Sequence, residues 1–376
     1  MSKKKFNISL VLFFCIIAIF IGKTIRYTVM KETLVTPGIG WHMLEKVNNN
    51  LYDFKFTITN SESDEEVGTA TSNAGFLFAL LNIAHIFNTY YGYEILISIV
   101  WNIIILIMIS NLKKTYNFVE TIFIFSSVVV LNIFDFCLAK EPIQMLSFIF
   151  MYLILKSSKS YNFKYVGCLV VFLLSTVTYR NYYILMIGFM IYISFLYKFL
   201  VTKTNKLKIK HILFILISIL VCYYIFLLVA RFIDIKSFNE LLRVRLRSSS
   251  AKSDMRAIFR SSNLFIFSID YLIMLLRMMI PIELIKLGPK YAIYAIYQIM
   301  ISMIVSKNLI NISKINNSQR ISIYIYIAFL MGSAAFEPDF GSWIRHEAAI
   351  FPILLIMLNN MNEKVIRNDE IYVKNN

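Results

Sequence analysis

Residues Ile321–Leu358 read ISIYIYIAFLMGSAAFEPDFGSWIRHEAAIFPILLIML. Two apolar runs, Ile321–Phe336 and Ala348–Leu358, flank a segment, Glu337–His346, that holds two carboxylates, an arginine and a histidine. Apolar runs of this kind predict membrane helices. Ionisable groups between them are costly in a bilayer and mark an aqueous cavity or a site. Pro338 and Gly341 interrupt the helical pattern, which predicts a tight turn at the membrane surface. Arg345 and His346 are then expected on the first turn of the next helix, an acid or base beside a fixed cation.

The rest of the chain agrees with a polytopic membrane protein. Hydrophobic residues make up 58% of it and charged residues only 16%, with mean hydropathy +0.67. Ile8–Gly22, Glu94–Leu112, Phe118–Ala139, Tyr182–Leu200 and Ile212–Ile233 approach or exceed the roughly 18–20 residues that span hydrocarbon. Without a long polar segment, residues 1–376 are expected to form a single integral membrane domain. The net charge of +16 does not imply nucleic acid, because most lysines sit in short connections between apolar runs, as the positive-inside rule places them. Cys15, Cys137, Cys168 and Cys222 lie far apart within apolar runs and read as small core residues. Ile8–Gly22 follows a basic start with no small-residue cleavage site behind it, which predicts a retained signal-anchor helix.

Basic residues set the expected topology. Lys3–Lys5, Lys113-Lys114, Lys156–Lys164, Lys198–Lys210, and Lys307 to Arg320 belong inside. Lys23–Asn73 belongs outside, with Asp53 and the acidic run Glu62–Glu66. That parity is kept only if two apolar segments do not cross. Ala74–Tyr90, with Asn82, His85 and Asn88, is expected to lie on or dip into the outer face. Asn263–Ile285, with Asp270, Arg277, Pro281 and Glu283, is expected to be interfacial or re-entrant. The fold expected is an all-α bundle of roughly ten to twelve membrane helices. Four polar clusters then share the outer face: Lys140-Glu141, Tyr179-Arg180-Asn181, the arginine-rich loop Asp234–Ser262, and Glu337–His346. Plain crossing by every run would instead leave some of them cytoplasmic.

The loop Asp234–Ser262 holds Arg243, Arg245, Arg247, Lys252, Arg256 and Arg260. An external arginine cluster suits a diphosphate; a cytoplasmic one suits anionic lipid. Arg180 fits either a phosphate clamp or an interface anchor among tyrosines. Lys140-Glu141 fits either a site pair or an interfacial ion pair, with Pro142 an ordinary helix-start residue. His346, Glu337, Asp339 and Glu141 are the candidate bases or acids. Arg345, Arg180, Lys140, Arg243, Arg247, Arg256, Arg260 and Arg277 are the candidate diphosphate or sugar contacts. No phosphate-cradling glycine motif and no His/Cys metal spacing appears, and Asp64-Glu65-Glu66 reads as a solvated loop. Neither a metal nor another cofactor is expected.

Glu337–His346 followed by Pro352 resembles the C-terminal signature of Wzy-type capsule and O-antigen polysaccharide polymerases. Ala139-Lys140-Glu141 and Tyr179-Arg180-Asn181 resemble that group's other outer-face motifs. The resemblance implies a GT-C-like, metal-independent glycosyltransferase of the bacterial cytoplasmic membrane. It would join undecaprenyl-diphosphate-linked oligosaccharide repeat units at the outer face, with membrane lipid, a flippase and a chain-length regulator as partners. Two other classes stay open: another polyprenyl-phosphate-sugar-dependent glycosyltransferase, and a lipid-linked oligosaccharide flippase or permease. The second would favour internal repeats and charges spread through the bundle; no repeat is visible, and the charges gather at helix ends.

Overall fold

The computed structural model describes residues 5–29, 69–81, 86, 90–201, 209–232, 254–255, 257–259, 263–337 and 339–358. In chain order the elements are β1 (Lys5–Asn7), α1 (Ile8–Thr28), α2 (Thr69–Leu81), α3 (Tyr90–Ser110), β2 (Thr115–Asn117), α4 (Phe118–Phe134), α5 (Glu141–Lys156), α6 (Tyr161–Thr178) and α7 (Tyr183–Val201). They continue with α8 (Ile209–Phe232), α9 (Leu264–Met279), α10 (Ile282–Ile285), α11 (Pro289–Ile310), α12 (Asn317–Phe336), α13 (Phe340–Ala348) and α14 (Phe351–Leu358). The architecture is a polytopic helical bundle.

By length and composition α1, α3, α6, α7, α11 and α12 qualify as membrane spans, and α13 with α14 adds a seventh that bends by 60°. These are the spans among the described residues, where Phe118–Phe134 and the stretch Leu213–Leu228 of α8 are further, shorter apolar helices. The run Phe118–Ala139 is helical only to Phe134, α5 begins at Glu141 and ends at Lys156, and the run Ile212–Ile233 is helical to Phe232. The first helix corrects the sequence reading in the other direction. It runs past Gly22 to Thr28 and carries Lys23 and Arg26 inside it, where the sequence reading began a loop. The all-α expectation also missed a small antiparallel pairing, Lys5 opposite Asn117 and Asn7 opposite Thr115.

That pairing brings the N-terminal lysine to the Lys113-Lys114 connection. Lys156 donates to the carbonyl of Asn111 (2.9 Å), Lys164 to Ser318 Oγ (2.9 Å) and Lys113 to the carbonyl of Leu358 (3.0 Å), so one end of the bundle is rich in lysine. The opposite end gathers Arg26, Glu94, Asp135, Glu141, Arg180, Glu337 and His346. α2 has only thirteen residues and meets this second end through Asn73, whose amide donates to the carbonyl of Thr178 (2.7 Å). Of the expected interfacial segment Ala74–Tyr90, α2 covers Ala74–Leu81 and begins earlier, at Thr69, while Asn82, His85 and Asn88 lie outside the described residues. Ahead of the expected re-entrant segment Asp254 bridges to Asp339; within it Arg277 lies 6.0 Å from the Phe340 ring, and the Met279 carbonyl at the close of α9 accepts from Ser302 of α11 (2.6 Å).

α12 is the centre of the bundle. Nearly all of its residues from Ile321 to Ala335 are buried, which explains why it is apolar on every face. An Asn316–Gln319 capping box starts it. Cys15, Cys137 and Cys168 are buried as expected, whereas Cys222 is exposed on the apolar surface of α8.

α1 crosses α4 closely because Gly22 has no side chain. A Cβ there would sit 2.7 Å from Asn132 Cβ and 2.8 Å from the Val129 carbonyl oxygen. Beside this crossing Asn102 and Asn132 exchange amide hydrogen bonds of 2.8 and 2.9 Å between α3 and α4. Gly22→Ala is therefore expected to destabilise the purified protein by about 1–3 kcal/mol. Gly188→Ala in α7, where nothing lies within 4 Å of the new Cβ, should leave thermal stability unchanged or slightly raised. Equal melting temperatures for the two variants would show that the crossing is looser than the geometry implies.

Candidate functional site

Glu337 ends α12 with an extended backbone, and Asp339 starts α13 by accepting the Ser342 amide on Oδ1 (2.8 Å). The helix thus breaks between Glu337 and Asp339, where the sequence placed an interruption. The rest of that expectation needs correction. Arg345 and His346 lie in the last turn of the short α13, not in the first turn of a long helix. Glu337 and His346 are each only 1% exposed, so they do not form a wet surface turn. α13 packs against α4 and α5, and Tyr179 and Arg180 at the α6–α7 turn reach His346 and Glu337. Asp339 is engaged as a helix cap, which leaves Glu337 as the carboxylate facing the histidine.

The imidazole of His346 is held from two other helices. Gln144 of α5 donates from Nε2 to the His346 carbonyl (3.2 Å), which turns its Oε1 toward His346 Nδ1 at 2.9 Å. Tyr179 at the end of α6 donates to the same Gln144 oxygen (3.2 Å) and lies 3.4 Å from Nδ1. An amide oxygen only accepts, so Nδ1 carries the hydrogen and Nε2 is the basic nitrogen. Nε2 is buried without a hydrogen-bond partner among the described residues, 3.5 Å from Glu337 Oε1. A proton taken up at Nε2 would be balanced at once by that carboxylate.

Glu337 is itself anchored. Ser342 donates to Oε2 (2.6 Å), while Arg180 Nη1 (3.3 Å) and the Tyr182 hydroxyl (3.4 Å) reach Oε1. Arg180 Nη1 also donates to Tyr182 (3.0 Å), and its guanidinium lies 5.5 Å from the rings of Tyr179 and Tyr182. Tyr182 stacks on Phe336 at 4.9 Å. With 23% of its side chain exposed against 2% for Glu337, Arg180 stands at the mouth of the site and Glu337 behind it.

The α4–α5 connection adds a second tier. Glu141 and Asp135 are fully buried, and neither carboxylate has a hydrogen-bond partner among the described residues. The interfacial Lys140–Glu141 ion pair that the sequence allowed is not formed. Burial, and then the charge of Glu141, hold the Asp135 carboxyl well above the usual range, partly offset by Arg345 and Arg26. Burial, and then repulsion by Arg180, lower Lys140, with Arg345 adding to the effect and Glu141 and Glu337 opposing it. Arg345 donates from Nε to the Gly341 carbonyl (3.3 Å), and its buried Nη1 is unpartnered. Lys140, Glu141, Arg180, Glu337, Arg345 and His346 therefore act on one another in one buried polar cluster.

The remaining predicted residues fall elsewhere. Arg277 pairs with Glu283 (2.7 Å) at the edge of α13. Arg243, Arg247, Arg256 and Arg260 lie outside the described residues, as do Arg245, Lys252, Asp53 and the Glu62–Glu66 run. Gln144, Tyr179, Tyr182 and Ser342 were missed as site residues. Gln144 follows Glu141 by three positions on one helix face, a signal that was legible. Also missed was a neighbouring buried pair, Arg26 Nε to Glu94 Oε1 at 2.5 Å, in which Arg26 also donates to the Ile133 carbonyl (2.7 Å). Glu347, beside His346, turns the other way: Gln298 and Tyr326 both donate to its Oε1 at 2.8 Å. Among the described residues no three His, Cys, Asp or Glu side chains converge as metal ligands would.

No protein-family model, curated protein or solved structure matches the chain.

Proposed function

We propose that the chain is a membrane glycosyltransferase that polymerises undecaprenyl-diphosphate-linked oligosaccharide repeat units into capsule, exopolysaccharide or O-antigen chains. The observation that carries this reading is the Arg180–Glu337–His346 constellation: a guanidinium at the mouth, a carboxylate behind it, and a basic imidazole nitrogen beside the carboxylate. It lies at the end of the bundle opposite the lysines, hence at the outer face by the positive-inside rule.

In the proposed reaction an acceptor hydroxyl of one repeat unit attacks the anomeric carbon of the growing chain. The bond from that carbon to the diphosphate breaks, and the lipid diphosphate leaves with the electron pair. His346 Nε2 takes the hydroxyl proton, and Glu337 stabilises the resulting imidazolium. Arg180 holds Glu337 through one nitrogen only, so an arriving diphosphate competes for its guanidinium. Arg180 moving from Glu337 to the diphosphate would bind the leaving group and open the histidine to the acceptor in one step. Lys140 and Arg345 supply further positive potential for the leaving charge.

The test is reconstitution of the purified chain with the lipid-linked repeat unit extracted from a strain that lacks its gene. A ladder growing by one repeat unit, with release of lipid diphosphate and without nucleotide sugar, is expected. Elongation only from a polyprenyl monophosphate sugar would assign the other glycosyltransferase class. Movement of the lipid-linked unit across the bilayer without elongation would assign a permease.

A further inference from the structure

A crevice of about 450 Å³ opens at the lysine-rich end, far from the site above. Its walls are the first turn of α4, the second half of α11 and the last residues of α14. The lining is graded. Asn117, Glu120, Lys307 and Asn308 form one end, and the rest is apolar, with three methionines, Met300, Met303 and Met357. Phe118, Val119 and Met303 are 59%, 58% and 63% exposed and flank the opening on the bundle's apolar exterior. A crevice polar at the membrane surface and apolar along the hydrocarbon has the shape of an amphiphile. Flexible methionine side chains adapt to an alkyl chain.

The charge at the polar end selects among amphiphiles. Glu120 is already neutralised by Lys113, whose Nζ lies 2.7 Å away and also donates to the Leu358 carbonyl. Lys307 is exposed and has no such partner among the described residues. The strand pairing brings Lys5 to the same rim. Burial is the first cause that lowers Lys113, and Lys307 and Lys5 lower it further, so the three cations repel one another. An anion among them relieves that repulsion. By the positive-inside rule this end faces the cytoplasmic leaflet, where anionic phospholipids are the abundant amphiphilic anions.

We propose that this crevice binds an anionic phospholipid of the cytoplasmic leaflet, its phosphate at Lys307 and an acyl chain between α4 and α11. The bound lipid would tie α4, α11 and α14 together at the closed end of the bent span whose other half carries His346. The proposal does not depend on the catalytic reading, and its test needs no turnover.

Full-length protein purified in a neutral detergent is titrated with phosphatidylglycerol, phosphatidylcholine or inorganic phosphate. Thermal unfolding and native mass spectrometry are the readouts. Phosphatidylglycerol is expected to raise the melting temperature and to survive as a stoichiometric adduct, with phosphatidylcholine weaker and inorganic phosphate without effect. Lys307→Gln should weaken phosphatidylglycerol binding about fivefold, the effect of one surface lysine on an anionic lipid. Met303→Trp, which narrows the opening without touching the cations, should weaken it as well. A melting scan without lipid establishes that both variants fold. Equal responses to the two phospholipids, or phosphatidylglycerol binding unchanged in both variants, would overturn the proposal. An equal response to inorganic phosphate would reduce the crevice to a surface anion contact.

Discussion

His346→Gln should insert and fold normally yet lower polymer formation about 10²–10⁴-fold, the range associated with loss of a general base. Glutamine keeps a polar group opposite Gln144 and Tyr179, which now hold Nδ1 at 2.9 and 3.4 Å, and removes only the basic nitrogen near Glu337. His346→Ala is a poorer probe. His346 is buried, and truncation leaves a cavity together with an unsatisfied Gln144 oxygen, so lost activity would be confounded with lost stability. Wild-type activity should fall toward low pH as Nε2 becomes protonated, and the residual activity of His346→Gln should lack that acid limb. Glu337→Gln should be less severe, because the base survives and only the stabilisation of its protonated form is lost. The reverse order, full chain length in His346→Gln and none in Glu337→Gln, would make the carboxylate the base. Accumulation of single lipid-linked units, read by extraction and electrophoresis, separates loss of chemistry from loss of protein.

Much of the site could be read from the chain because charge in an apolar sequence is conspicuous and helix ends alternate between two faces. Lys140-Glu141, Arg180 and Glu337–His346 each interrupt apolar runs, and counting crossings by their lysines puts all three at one end, where they meet. Burial was not legible in the same way. Glu337 and His346 looked like a surface turn because hydropathy cannot tell a charged turn facing water from one buried among neighbouring side chains. Nor did charge or hydropathy point to the residues that orient the histidine, although Gln144 shares a helix face with Glu141. Gln144 is uncharged and helical, and it bonds to His346 across 202 positions of sequence. Asp339 looked as good a base as Glu337. In the structure Asp339 caps α13 through the Ser342 amide, and Glu337 is the carboxylate beside His346. Arg26 was hidden for a related reason: a cation three residues past Lys23, where the loop seemed to begin, lies in a helix that continues, and its partner Glu94 comes from a distant segment.

Arg180→Lys should retain most of the stability of the protein and lose most of its activity. Lysine can hold one bond to Glu337, as Arg180 does now at 3.3 Å, but it cannot present a planar fork to a diphosphate. A fall of about 10²–10³-fold is expected, comparable to removal of one donor to a developing negative charge. Arg180→Gln adds a second effect, because it leaves Glu337 buried without its cation. Breaking a buried pair costs about 3–5 kcal/mol, and the low end applies here since 23% of the Arg180 side chain is exposed. The double change Arg180→Gln with Glu337→Gln removes both charges and should recover much of that stability, yet it should remain as inactive as Arg180→Gln alone. Recovery of stability and activity together would mean that Arg180 only neutralises Glu337. Near-normal polymer in Arg180→Lys would mean that a point charge suffices at the mouth, and the leaving diphosphate would then have to be held by Lys140 and Arg345.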